Sequence, residues 1–172
     1  MLAARQGIGP ADDPKGTAMS ITTTTHLNFR GTARSALQLY ASAFGGSVTV
    51  STYGDLGMPS DAPDADRIVF GQVENEDGFR IMAYDIPGTD VDPVATAGTT
   101  RREHGTTITD RSFFQSARGQ SLEEVLAIWE RLAEGADIIE PLAASAWSPG
   151  FGMLTDRFGV TWVLDVQPGA AA

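Results

Sequence analysis

Apolar and polar positions in this chain alternate with period two over several short stretches and with helical period over two longer ones, and the order of these stretches occurs twice. The clearest stretch lies near the C-terminus. Phe151 to Val166 reads as strand, tight turn, strand, with Asp156 to Gly159 as the turn. Asp favours the start of such a turn, and Gly159 tolerates a positive φ. Beyond the turn, Val160, Trp162, Leu164 and Val166 alternate with Thr161, Val163 and Asp165. One set belongs to a core face and the other to a second face, available to a ligand.

The first half opens with a strand over Thr24–Arg30, where Leu27 and Phe29 alternate with His26, Asn28 and Arg30. Thr32 is the expected N-cap of a helix whose apolar stripe is Ala33, Ala36, Leu37, Tyr40 and Phe44, stopped by Gly45-Gly46. Ser47–Tyr53 is strand-like, Gly54–Asp66 is loop, and Ile68–Glu74 with Phe79–Asp85 forms a hairpin around Asn-Glu-Asp-Gly. Ile86–Thr109 carries Pro87, Gly88, Pro93, Gly98 and Gly105 and is expected to be a long loop, whether linker, lid or disordered. The order then returns. Ser112–Ala117 is a strand, and Ser121 with Glu124 forms a capping box. The helix it opens bears Leu122, Val125, Leu126, Trp129, Leu132 and Ala133, and Gly135 stops it. Asp137–Ala144 is a strand that Pro141 consigns to an edge or bulge.

This predicts an α+β fold of two tandem βαβββ modules. Thr32 corresponds to Ser121, Leu37 to Leu126 and Tyr40 to Trp129. Each module alone leaves an apolar sheet face uncovered, so two sheets paired around a common concavity are the economical solution. The expected boundaries are a flexible tail over 1–21, a first module over 22–88, a long loop over 89–110, a second module over 111–167 and a tail over 168–172. Met19 is a candidate natural start, which mass spectrometry of native protein would test.

A hydrophobic content of 42% with 20% charged residues is that of a globular chain. The formal charge of −10 argues against nucleic acid and anionic membrane as partners. Without cysteine there are no disulfides, thiol nucleophiles or Cys-based zinc sites, and with only two histidines, His26 and His104, imidazole chemistry is scarce. No apolar run approaches the roughly 20 residues that span a bilayer, and a cytoplasmic location is expected. No glycine-rich phosphate loop or Gly-x-Ser-x-Gly elbow is present.

Alternation supplies the candidate ligand-binding set: His26, Asn28, Arg80, Met82, Tyr84, Phe114, Thr161, Val163 and Asp165. Its mixture of hydrogen-bonding groups with Met, Phe and Tyr suits a small organic molecule. The same face pointing to solvent or to a dimer partner is the alternative. His26 is either a pocket group able to titrate near neutrality or a structural residue. Asp165 pairs with Arg80 or Arg30, or ends its strand in solvent. Glu103 and His104 reach the pocket if the long loop is a lid, and Trp147 either closes a pocket or buries itself in an interface. Trp129 and Trp162 are expected in the core.

Three segments carry a family likeness. His26-Leu-Asn-Phe-Arg-Gly-Thr-Ala-Arg-Ser-Ala-Leu-Gln-Leu-Tyr40 with Phe44-Gly45-Gly46 resembles the opening of PhnB-like proteins. Arg80-Ile-Met-Ala-Tyr-Asp-Ile-Pro-Gly88 resembles their fourth strand, and Trp147 with Phe151 to Trp162 their closing motif. These proteins belong to the vicinal oxygen chelate superfamily, with glyoxalase I, extradiol dioxygenases and bleomycin-binding proteins. The resemblance spans about residues 22–167. It implies a U-shaped, eight-stranded mixed sheet around a central cavity, and a homodimer. Metal-using relatives place a ligand on the first and last strand of each module, where a divalent ion holds two vicinal oxygens. The matching positions here are His26, Met82, Ser112 (or Phe114 one register away) and Val163, of which His26 alone is a good ligand. The family's occasional label as a demethylubiquinone methyltransferase finds no nucleotide-binding glycine loop here. The expectation is a small-molecule-binding protein without the family metal. A metal-dependent enzyme of glyoxalase or dioxygenase type is one alternative, and a dimeric scaffold with a filled cavity is another.

Overall fold

The computed structural model describes residues 22–88 and 100–167. The expected tails, 1–21 and 168–172, and residues 89–99 of the expected long loop lie outside the described residues. In chain order the elements are β1 (Thr25–Phe29), α1 (Ala33–Phe44), β2 (Ser47–Thr52), β3 (Ile68–Glu74), β4 (Arg80–Asp85), β5 (Arg101–Glu103), β6 (Thr106–Ile108), β7 (Gln115–Gly119), α2 (Leu122–Ala133), β8 (Asp137–Ala143), β9 (Phe151–Thr155) and β10 (Thr161–Val166). Setting β5 and β6 aside, this is βαβββ twice, as the sequence order predicts. The eight module strands divide into two hydrogen-bonded mixed sheets of four, ordered β1-β4-β3-β2 and β7-β10-β9-β8. In each, the first strand lies parallel to the last, and the other neighbours are antiparallel. No helix among the described residues is long and apolar enough to cross a membrane.

Each helix packs on one face of its sheet, and glycines set the approach. A Cβ at Gly71 would collide with Leu37 of α1, and one at Gly152 would fall 2.7 Å from the Trp129 ring of α2. The two glycines occupy corresponding positions on β3 and β9, opposite Ala83 and Leu164. α1 buries Ala33, Ala36, Leu37, Leu39, Tyr40 and Ala43. α2 buries only Val125 and Leu132, and its expected stripe residues Leu122 and Leu126 remain 43% and 44% exposed.

Three expectations are corrected. Thr32 makes no side-chain cap. Asp85, at the end of β4, substitutes for it: one carboxylate oxygen accepts from the Gly31 and Ala33 amides at 2.7 and 3.0 Å, and the other from Ile68 at 3.0 Å. A fixed carboxylate satisfies the orphan donors of the helix start and complements its dipole as well as a local cap would. Secondly, the described end of the expected long loop is not loop. Arg101–Glu103 and Thr106–Ile108 form a hairpin turned by His104 and Gly105, both at positive φ, the geometry that two-residue hairpin turns require. Thirdly, β7 begins at Gln115 rather than Ser112, so Phe114 precedes the strand. The strand with Pro141 does lie at an edge, and its register shifts on both sides of Glu140.

One apolar cluster, from Leu27 to Val166, serves both modules. Aromatic rings cross the junction: Phe44, stacked on Phe79 at 4.2 Å within the first module, contacts Trp162 of the second at 5.0 Å, and Tyr40 meets Trp162 at 5.4 Å. At the centre is the buried Asp156. Its Oδ2 accepts from Tyr40 Oη and Trp162 Nε1, each at 2.9 Å, and its Oδ1 from the Phe158 and Val160 amides at 2.9 and 3.0 Å. Burial raises the Asp156 pKa above the ordinary 3.8, against the opposing pull of these donors. Burial, then the Asp156 charge, holds the Tyr40 phenol well above 10.0.

Asp156→Asn turns an amide N–H toward groups that are themselves donors, and should cost about 1–3 kcal/mol. A carboxyl with a raised folded pKa stabilises the fold fully below its unfolded value and loses that contribution as pH rises through the folded one. The stability gap between the natural chain and the Asn variant should therefore be wider at pH 5 than at pH 8 in urea titrations. A gap that narrows toward acid would contradict this assignment.

Candidate functional site

In each sheet the module's first strand stands at one end of the strand order. β1 is the outer strand of one and β7 of the other, and among the described residues no strand pairs with the second edge of β1. Residues 110–113 run past this edge before β7 begins. A cavity of about 450 Å³, here the seam cavity, lies between β1, this approach to β7 and residues 158–161 at the β9–β10 turn. Its wall takes His26, Leu27, Asn28, Phe29 and Arg30 from β1 and its exit, Asp110, Arg111, Ser112 and Phe113 from the approach to β7, and Phe158, Val160 and Thr161 from the turn.

The cavity is lined by residues from both faces of β1. Leu27 and Phe29 belong to the buried side, and Phe29 meets Phe158 edge-on at 6.4 Å. His26 and Asn28 belong to the open side. Thr161 is buried, its hydroxyl 3.0 Å from that of Thr155. Among the described residues the charged lining groups are Arg30, Arg111 and Asp110, and the Asp110 carboxylate lies 3.7 Å from Arg111.

The structure divides the residues expected from alternation. His26, Asn28 and Thr161 reach the cavity. Met82 and Tyr84 share the open face with them, in register beside His26 and Asn28, with the His26 and Tyr84 rings 5.5 Å apart. They do not line the cavity. Arg80 lies farther along that face, paired with Glu74 at 2.8 Å. Phe114 is half-buried just before β7. Val163 and Asp165 lie on β10, opposite Ser116 and Arg118. Asp165 pairs with neither Arg80 nor Arg30, the expected partners. Both its oxygens bind Arg118, at 2.7 to 3.1 Å, because β7 extends to Gly119 and brings Arg118 alongside. Arg30, Asp110, Arg111, Phe113 and Phe158 were missing from the expected set. Arg30 had the right alternation, whereas 110–113 has no period to reveal it.

The open faces of the two sheets differ. That of the second is covered by the β5–β6 hairpin: the Arg102 guanidinium lies 5.5 Å over the Phe151 ring and 3.3 Å from Glu140, and the Thr107 hydroxyl is 3.7 Å from the Met153 sulfur. Glu103 and His104 sit on this hairpin away from the seam cavity, Glu103 paired with Arg101. Trp147 is 56% exposed and edge-on to Phe151. The positions matching the family's metal ligands offer one imidazole, a thioether, a hydroxyl and an aliphatic chain, and His26 and Met82 alone adjoin in register. Such a donor set does not fit a divalent ion of the magnesium, manganese, nickel or zinc type. Among the described residues, no three His, Asp or Glu side chains gather to hold a metal.

The paired βαβββ modules are those of a known superfamily. The model of the Glyoxalase/Bleomycin resistance protein/Dioxygenase superfamily matches residues 24–164, and the chain belongs to that superfamily. Protein PA1353 from Pseudomonas aeruginosa is similar, at 26% identity and a TM-score of 0.65, covering 86% of this chain and 98% of its own. The PhnB protein of Bacillus cereus, described as a putative 3-demethylubiquinone-9 3-methyltransferase, matches at 23% identity and a TM-score of 0.63, covering 86% of this chain and 100% of that one. A glyoxylase/bleomycin resistance protein/dioxygenase domain from Frankia sp. EAN1pec, 14% identical, has a TM-score of 0.57 over 90% of this chain and 96% of its own. The last two show the shared fold alone. None of the curated proteins matches this chain.

If Arg102 fastens the hairpin to the second sheet, Arg102→Ala should speed amide exchange over residues 101–108 by about three- to tenfold, the range of an interaction near 1 kcal/mol. Unchanged exchange would show that other contacts hold it.

Proposed function

We propose that this chain is a small-molecule-binding protein whose site is the seam cavity, and that it works without the family metal as a homodimer. The observation that carries the reading is the cavity itself. Its volume of about 450 Å³ and its mixed lining of aromatic, aliphatic and hydrogen-bonding side chains suit a small organic molecule. The single imidazole at the matching metal positions supports the metal-free part. A methyltransferase role, as in the description of the Bacillus cereus protein, gains no support from the site. The open face of the first sheet carries Met82, Tyr84 and Phe70, the last 38% exposed, and is the surface proposed for a second copy. An acidic, cysteine-free chain suits the cytoplasm.

A thermal-shift screen against metabolites and aromatic antibiotics should find a ligand. His26→Ala should weaken it about tenfold, or 1.4 kcal/mol, while stability moves within about 0.5 kcal/mol, as for other exposed positions. Equal affinity in the variant would remove His26 from the site. Stoichiometric nickel, zinc, manganese or iron in protein purified without chelator would favour a glyoxalase- or dioxygenase-type enzyme instead.

For the dimer, sedimentation equilibrium should give twice the chain mass, and Phe70→Glu should halve it. A natural chain that sediments as a monomer would rule the dimer out.

A further inference from the structure

We propose that the open face of the second sheet is a binding site for an organic cation of the guanidinium type, separate from the seam cavity, and that the β5–β6 hairpin fills it with the chain's own stand-in. The stand-in is Arg102. Its guanidinium carbon lies 5.5 Å from the centre of the Phe151 ring, its Nε lies 3.3 Å from a Glu140 carboxylate oxygen, and its side chain is 15% exposed. A ring face and a carboxylate thus converge on one planar cation. The ring contributes its quadrupole and the carboxylate a charge-assisted hydrogen bond. None of Arg102, Glu140, Phe151 and Met153 lines the seam cavity.

The carboxylate reaches this face because the outer strand is bulged. Ile138 of β8 stands opposite Leu154 of β9. A regular antiparallel ladder would then set Ile139 against Met153 and Glu140 against Gly152. Gly152 belongs to the helix side, where it meets Trp129. The register shift instead brings Glu140 opposite Met153, whose sulfur the Thr107 hydroxyl of the hairpin touches. One extra residue turns a carboxylate from the helix side to the open face, a use to which bulges beside sites are put. The first sheet lacks this arrangement. Phe70 precedes Gly71 as Phe151 precedes Gly152, yet Phe70 is 38% exposed. The cover over Phe151 is an addition to the repeated module.

That cover is lightly held. β5 and β6 form a sheet of their own. Ile108, the one large apolar side chain of the hairpin, is 36% exposed, so little apolar burial ties the hairpin down. A two-stranded hairpin is marginal by itself, and an element with few buried apolar contacts opens at low cost. When it lifts, Arg102 leaves with it and an external cation takes its place between Phe151 and Glu140. The formal charge of −10 on the chain draws cations toward it.

The test uses the full chain, isotope-labelled at its methionine methyls, in NMR titrations. Met153 reports on the site and Met82 on the other sheet. N-Ethylguanidinium should shift the Met153 methyl of an Arg102→Ala variant and leave Met82 unmoved. The natural chain, whose own guanidinium competes, should bind this probe at least about tenfold more weakly. N-Ethylurea, a neutral probe of similar shape, should bind the variant about tenfold more weakly than the guanidinium does, and adding Glu140→Gln should lower guanidinium affinity by about the same factor. An Arg102→Ser variant should behave as Arg102→Ala does, and replaces it in the test if the alanine chain does not fold. No Met153 shift in the variant, urea binding as tightly as guanidinium, or undiminished binding after Glu140→Gln overturns the proposal. None of these outcomes bears on the seam cavity, which His26→Ala tests.

Discussion

A single carboxylate joins the two halves of this molecule. Asp156 lies in the turn between the last two strands, yet one of its donors is Tyr40, on the helix of the first module, 116 residues earlier. With Trp162 and two backbone amides it makes four hydrogen bonds around a group that burial alone would disfavour. Loss of any donor would leave the buried carboxylate less compensated. It fixes the β9–β10 turn against α1, and the same turn supplies Phe158, Val160 and Thr161 to the cavity wall. The geometry of the seam therefore depends on a contact whose centre is on the core side.

The paired modules also show how a repeated sequence pattern yields unlike halves. Gly71 and Gly152 let each helix approach its sheet in the same way. The helix starts differ: Ser121 accepts from the Glu124 amide and the Glu124 side chain accepts from Gln120, whereas α1 relies on Asp85 from a distant strand. The open faces differ more. One is covered by the chain's own β5–β6 hairpin, and the other carries His26, Met82 and Tyr84 in adjacent register.

Local signals made most of this legible. The capping box, the Asp156–Gly159 turn and the period-two strands are each written within about ten residues, and each appears in the structure. What escaped depends on contacts remote in sequence. Asp85 reads as a strand terminus until the fold brings the start of α1 to it. Asp156 reads as a turn residue until Tyr40 arrives. The pairing of Asp165 with Arg118 needed the register of two parallel strands, which alternation alone does not supply. The hairpin is a different case: His104-Gly105 is a turn signal, but the strands it joins are only three residues long, too short to show a period, and follow a Pro- and Gly-rich run. In the seam, β1 showed its faces through alternation, whereas residues 110–113 make their wall outside any regular element.

The outer strand β8 has a consequence for how the molecule coexists with its neighbours. Pro141 brings no amide hydrogen to that rim, and the register shifts around Glu140 interrupt an even ladder. An incoming strand would find an irregular row of donors and acceptors. Strand-by-strand accretion, the route by which exposed sheets grow into fibrils, meets a built-in stop there.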